Sequence, residues 1–142
     1  MAQKPITEAL GYLMFQICRA HRNKAQELLS ELGLYTGQEI LLMHLWLEDG
    51  LTQTVLAERL CIQRATLTKT LDRLEQAGLV ARRPDDEDRR VTRVHITDKG
   101  QELRRSIERV WREVEAQSFG NLSLEEHNTL RRLLEKAYAN LA

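Results

Sequence analysis

The chain has 142 residues, 42% hydrophobic and 30% charged, and its 21 basic side chains balance 21 acidic ones. That length fits one domain, or one domain with an appendage. Zero net charge argues against a non-specific nucleic-acid coat, which needs a broad positive field, and no apolar run approaches the ~18 residues of a membrane span.

Only 2 Pro and 7 Gly interrupt the chain, so long helices are expected. The start, Met1-Ala2-Gln3-Lys4-Pro5, runs into mixed polarity without a signal-peptide core, so a cytoplasmic protein with no membrane association is expected. From Ile6 to Leu32 apolar residues recur at steps of three and four, predicting one long amphipathic helix that ends at Gly33. Thr36 and Glu39 have capping-box spacing for a second helix. Its run of Ile40, Leu41, Leu42, Leu45, Trp46 and Leu47 is apolar on most faces and predicts the buried centre.

The rhythm then shortens. Thr52 is placed to cap a short helix, Gln53–Leu60, and Cys61-Ile62-Gln63 connects it to a second, Arg64–Gln76, with Leu67, Leu71 and Leu74 inward and Gly78 as terminator. Two short helices about a tight turn form a helix-turn-helix. Leu79–Arg83 and Val91–Thr97 read as strands around the polar loop Pro84–Arg90, giving a β-hairpin with a projecting tip, the wing of a winged helix. Thr97-Asp98 opens a further long helix to about Phe119, and Ser123-Leu124-Glu125-Glu126 is a capping box for a last helix. The first and last two helices each carry an apolar stripe that so small a core has little room to receive. A two-fold dimer is therefore expected, with an intramolecular bundle as the alternative.

Residues 51–100 are the most basic third, with 10 basic against 8 acidic residues. The outward face of Arg64–Gln76 opens with Arg64, Thr66, Thr68 and Lys69. Arginine pairs with guanine, threonine offers a hydroxyl and a methyl, and lysine reaches bases or phosphates in a major groove. An ordinary solvated helix face would be satisfied by the same residues. The hairpin carries Arg82, Arg83, Arg89, Arg90 and Arg93, and arginine on a narrow projection suits an adjacent minor groove. Asp88 is spaced to pair with Arg90 and fix the tip, while the remaining acids of Asp85–Asp88 are expected to stay in solvent.

The stretches Leu56–Leu60, Thr66–Glu75, Gly78-Leu79-Val80, Asp88-Arg89-Arg90 and Ile96–Gly100 together resemble the MarR family of bacterial and archaeal transcription regulators. The resemblance covers nearly the whole chain. It implies a single MarR-like domain over 1–142: a mainly α fold with a small β-hairpin wing, the winged helix-turn-helix at about 36–97 flanked by dimerisation helices at about 6–33 and 98–142. It also implies a homodimer on a pseudo-palindromic double-stranded DNA operator, usually as a repressor. By resemblance, Arg64, Thr66, Thr68 and Lys69 read the major groove, and Arg90 enters the minor groove with Asp88 holding it; Arg89 and Arg93, on the same hairpin, are expected to contact DNA as well. Thr52, Gln53 and Arg73 would contact phosphates. The recognition helix departs from the family pattern at Gln63, a poor N-cap, and at Arg64.

Family members often release DNA when a small phenolic or lipophilic molecule binds between the dimer helices and the lobe. Tyr12, Phe15, His44 and Trp111 are the candidate lining residues here, against a plain packing role for each. A redox-responsive regulator using Cys61 or Cys18 is an alternative function. Peroxide-sensing members carry their cysteine where this chain has Gly11, and Cys18 on the apolar stripe is expected to be buried. A winged helix used only for protein contacts is the other alternative. Cys18 and His21, three apart, are a weak metal signal with Glu39 or His44 in reach, so neither metal nor cofactor is expected. No nucleophile elbow, HExxH, P-loop or GxGxxG occurs, so no enzyme is expected.

Overall fold

The computed structural model describes residues 2–142. A 3-10 turn (Ile6–Glu8) precedes α1 (Leu10–Ser30) and α2 (Gln38–Leu47). Then follow β1 (Leu51–Thr52), α3 (Gln53–Leu60), α4 (Arg64–Gln76), β2 (Val80–Pro84) and β3 (Thr92–Ile96). The chain closes with α5 (Asp98–Glu102), α6 (Arg104–Phe119) and α7 (Leu124–Leu141). The fold is mainly helical with a small antiparallel sheet in the order β1-β3-β2. No helix among the described residues is long and apolar enough to cross a membrane.

Why the core forms where it does follows from the two apolar patterns at its centre. Helix α2 is apolar almost all round, and Leu41, Leu42 and Leu45 are at most 1% exposed. Helix α4 carries one narrow stripe, and Leu67, Leu71 and Leu74 meet α2 and α3 there, with Leu56, Val80, Val94, Ile107 and Val114 closing the same cluster. Each such side chain contributes about 1.5–3 kcal/mol by leaving water. Helix α3 is capped as expected, the Thr52 hydroxyl accepting from the Val55 N–H at 3.2 Å. Helix α4 ends at Gly78, whose φ of 76° suits the left-handed position just past a helix. The N–H groups of Gly78 and Leu79 then return to the carbonyls of Glu75 and Leu74.

Three local expectations are corrected. The Thr36 hydroxyl does not cap α2; it accepts from Arg22 Nε at 3.3 Å. The N-cap is Gly37, and its N–H donates to the Glu39 carboxylate at 3.0 and 3.1 Å. The Glu39 carboxylate thus reaches back to the Gly37 N–H and not to that of Thr36, which donates to Gln26 Oε1 at 2.8 Å and ties this loop to α1. The helix predicted from Asp98 to Phe119 is broken at Leu103 (φ −74°, ψ −14°). Trp46 Nε1–H donates to the Gly100 carbonyl at 3.3 Å, the acceptor an unbroken helix would offer to the N–H four residues on. Gly100 is required there: a Cβ would stand 2.4 Å from the Leu79 carbonyl oxygen. The long first helix also starts later than predicted, since Ala9 is extended and separates the 3-10 turn from α1.

The outer helices are packed on one side only. Helix α1 buries Ala25 and Leu29 alone, and α7 buries no residue, although its Ser123–Glu126 capping box forms with both bonds. Leu10, Leu13, Phe15 and Ile17 on α1 and Leu133, Leu134, Tyr138 and Leu141 on α7 are exposed. Cys18 lies among them and is exposed, not buried as expected. Leu13, Phe15 and Ile17 of the stripe around it are exposed as well.

Candidate nucleic-acid interface

Helix α4 is amphipathic with its polar side outward, so burying Leu67, Leu71 and Leu74 obliges Arg64, Thr66, Thr68 and Lys69 to face solvent, and all four are exposed. The Thr68 hydroxyl donates to the Arg64 carbonyl at 2.9 Å. That bond fixes the side-chain rotamer and leaves the oxygen lone pairs free to accept. Gln63 makes no side-chain cap bond, so the opening N–H groups of α4 receive nothing from that side chain. Arg73, further along α4, is exposed and stacks over the Tyr35 ring at 5.9 Å. Thr52 and Gln53, at the start of α3, are half-buried.

The wing presents a narrower feature. Strands β2 and β3 pair from Val80↔Ile96 to Pro84↔Thr92, and the loop beyond them is stiffened by its own acids. Asp88 accepts from the Arg90 backbone N–H at 3.1 Å and from its guanidinium at 3.0 and 3.2 Å. The Arg90 side chain nevertheless stays 91% exposed, so a two-pronged ion pair holds a cation out in water. The Arg90 guanidinium keeps the Asp88 carboxyl below its usual range.

Asp85 is not a free solvent acid, which corrects that expectation. It accepts from the N–H groups of Glu87 and Asp88 and from Arg93 Nε. The Arg93 bond is the main cause that holds its carboxyl below the ordinary value. Arg93 also donates to the Gly50 carbonyl at 2.8 Å. Arg93 is thus committed to pinning the wing, and so is Arg82, which binds Asp72 and Glu75 on α4. Of the five hairpin arginines, Arg83, Arg89 and Arg90 remain exposed. Periodicity carried no trace of these partnerships, although carboxylates at 72 and 75, three apart on one helix, were a usable hint.

Two grooves border α2 away from the wing residues. One, of about 350 Å³, runs between α2 and α6 and is lined by Met43, Trp46, Leu47, Arg104, Ile107 and Trp111 among others. A second, of about 330 Å³, lies between α1 and α2 and includes His21, Arg22, Glu39 and Trp111. Of the four effector candidates Trp111 lines both and His44, half-buried on α2, lines neither. Tyr12 and Phe15 line neither and stack on each other at 6.2 Å in the outer part of α1. Burial raises the Glu39 carboxyl above its usual value, against the opposing pull of the Gly37 N–H. Cys61 is exposed in the turn before α4 with φ 54°. Among the described residues no three His, Cys, Asp or Glu side chains gather as a metal site.

A helix-turn-helix whose second helix faces solvent beside an arginine-tipped hairpin defines the winged helix-turn-helix class. The MarR family model matches residues 35–92. An organic hydroperoxide resistance transcriptional regulator of Bacillus subtilis is 32% identical over 91 residues, 64% of this chain and 62% of that protein, so the chain spans less than two thirds of it. An HTH-type transcriptional repressor of Mycobacterium tuberculosis is 29% identical over 89% of this chain and 91% of its own length. The crystal structure of the S. aureus MepR–DNA complex superposes with a TM-score of 0.86 at 27% identity, covering 93% of this chain and 98% of that one. Over its winged helix-turn-helix the chain is thus similar to the MarR family of transcriptional regulators.

Proposed function

We propose that this regulator works as a homodimer that binds a pseudo-palindromic operator, represses from it, and lets go when a small aromatic or lipophilic molecule enters the α2–α6 groove. The observation that carries the DNA reading is the pairing of two surfaces: the exposed Arg64–Lys69 face of α4, and Arg90 held outward by Asp88. Arg64 and Lys69 would meet base edges and phosphates in the major groove, and Arg90 the adjacent minor groove. Thr52, Gln53 and Arg73 would flank them at phosphates, with Arg89 beside Arg90. Arg93 would act by fixing the wing.

The homodimer is supported by the apolar rows of α1 and α7, which a two-fold partner would cover. Repression is supported by the mycobacterial relative named as a repressor, and effector release by the two tryptophans of the α2–α6 groove. A ligand acts there only if it binds the DNA-incompetent arrangement more tightly. The test is selection of bound sites from genomic fragments with the purified chain, followed by binding titrations. Tight, salt-dependent binding to a palindrome with half-site centres ~34 Å apart is expected. Arg90→Ala is expected to cost about 1–3 kcal/mol of operator affinity with the oligomeric state unchanged. Equal affinity for a scrambled duplex at physiological salt would remove the reading.

A further inference from the structure

The groove-facing stripe of α4 and the wing are joined by one side chain. Arg64, Thr68, Asp72 and Glu75 fall on one side of α4, since helical residues three and four apart share a face. The first two belong to the candidate DNA surface. The last two are acids, which would repel phosphate if left alone. Both are gripped from β2: Arg82 Nη2 donates to Asp72 Oδ1 and to Glu75 Oε1, and the Arg82 backbone N–H donates to Glu75 Oε2 at 3.0 Å. The Arg82 side chain is 21% exposed, the least of these three. One nitrogen, Nη2, carries two N–H donors and so serves both acceptors at once. Arg82 stands opposite the fully buried Val94 in the ladder, so a shift here is passed along the paired strands to the tip. At the other side of the sheet Arg93 ties β3 to the Gly50 carbonyl; buried Leu79 and Val80 anchor the start of the hairpin, and Arg82 ties its next part to the outward face of α4.

We infer that Arg82 is a positioning residue that sets the wing against the recognition helix, so that Arg90 and the Arg64–Lys69 face reach neighbouring grooves of the same duplex. This rests on the DNA-binding reading proposed above. A purely electrostatic role, masking two acids from phosphate, predicts a different result, and the two separate by sign.

The experiment is a double-mutant cycle on the full-length chain, with the tightest duplex that the wild-type chain selects from a random-sequence pool as probe. Arg90→Ala alone is expected to weaken binding about fivefold or more. In an Arg82→Gln background, and equally in Asp72→Asn/Glu75→Gln, its further cost is expected to fall below about twofold, because the wing is no longer aimed. Both clamp variants are also expected to weaken binding themselves, while thermal unfolding shows them folded. The carboxylate pair, both on the exposed face, keeps the test usable if Arg82→Gln folds poorly. Tighter binding by Asp72→Asn/Glu75→Gln, with the full Arg90→Ala cost retained, overturns the inference and leaves the DNA reading standing. Failure of the wild-type chain to enrich any sequence overturns both.

Discussion

The lobe from α2 to β3 and the outer helices α1 and α7 handle the same amphipathic pattern in opposite ways. In the lobe every apolar stripe meets another stripe of the same chain: Leu67, Leu71 and Leu74 find α2 and α3, and Val94 is fully buried between its neighbours. On α1 and α7 much of each stripe stays in solvent, and Leu10 and Leu141 are 84% and 86% exposed. Helical periodicity thus reports an apolar side without saying which chain it packs against. A shared core, which takes Leu29 from α1 and Ile107 and Val114 from α6, stabilises the lobe, whereas the far ends of α1 and α7 bury little within the chain.

The buried leucines of the lobe are where a substitution should cost most. Leu71→Ala empties a fully buried site and is expected to cost about 2–5 kcal/mol in unfolding free energy by denaturant titration. Ile17→Asp combined with Leu134→Asp places charges where a partner is proposed. The dimer dissociation constant is expected to rise about 100-fold or more by sedimentation analysis, with operator binding lost in parallel. An unchanged sedimentation profile would show that the exposed rows do not associate.

A smaller effect is expected at the head of α7. Ser123→Ala removes the hydroxyl that accepts from the Glu126 N–H at 3.1 Å. With no buried residue to hold that helix, the cost of about 1 kcal/mol should appear as faster amide exchange confined to its first turns. The smallest concerns Glu39. Its folded-state value is raised by burial, so protonation favours the folded chain and stability is lost as pH rises through that raised value. Glu39→Gln keeps an acceptor for Gly37 without the buried charge. It is expected to raise Tm slightly near pH 7 and to lose that advantage near pH 4, as calorimetry at the two pH values would show. Asp85 and Asp88 have the opposite sign. Their lowered values keep the wing's ion pairs intact above the usual carboxylate range, and the pairs are lost only as pH falls through those values.

Much of the lobe was legible because its signals are local. Helix α4 spans the residues expected from three leucines and a terminal glycine, and Thr52 and Ser123 cap where spacing placed them. The tip pair of Asp88 and Arg90, two residues apart, was equally readable. What escaped depends on contacts distant in sequence. Strand β1 exists through its pairing with β3, the break at Leu103 accompanies a bond from Trp46, and Arg93 is occupied by Gly50. Counting five arginines on the hairpin overstated its free charge for the same reason. The exposure of Cys18 was missed because a stripe facing outward looks, in one dimension, like a stripe facing in.

The two tryptophans of the chain, Trp46 and Trp111, both border the groove between α2 and α6, and neither lies on α4 or the wing. The protein therefore carries its own optical reporter for that cleft. Intrinsic emission will change when something fills the space beside the indoles, while a duplex meeting the proposed α4 and wing surface, which carries no indole, would alter it only by reshaping the cleft from within.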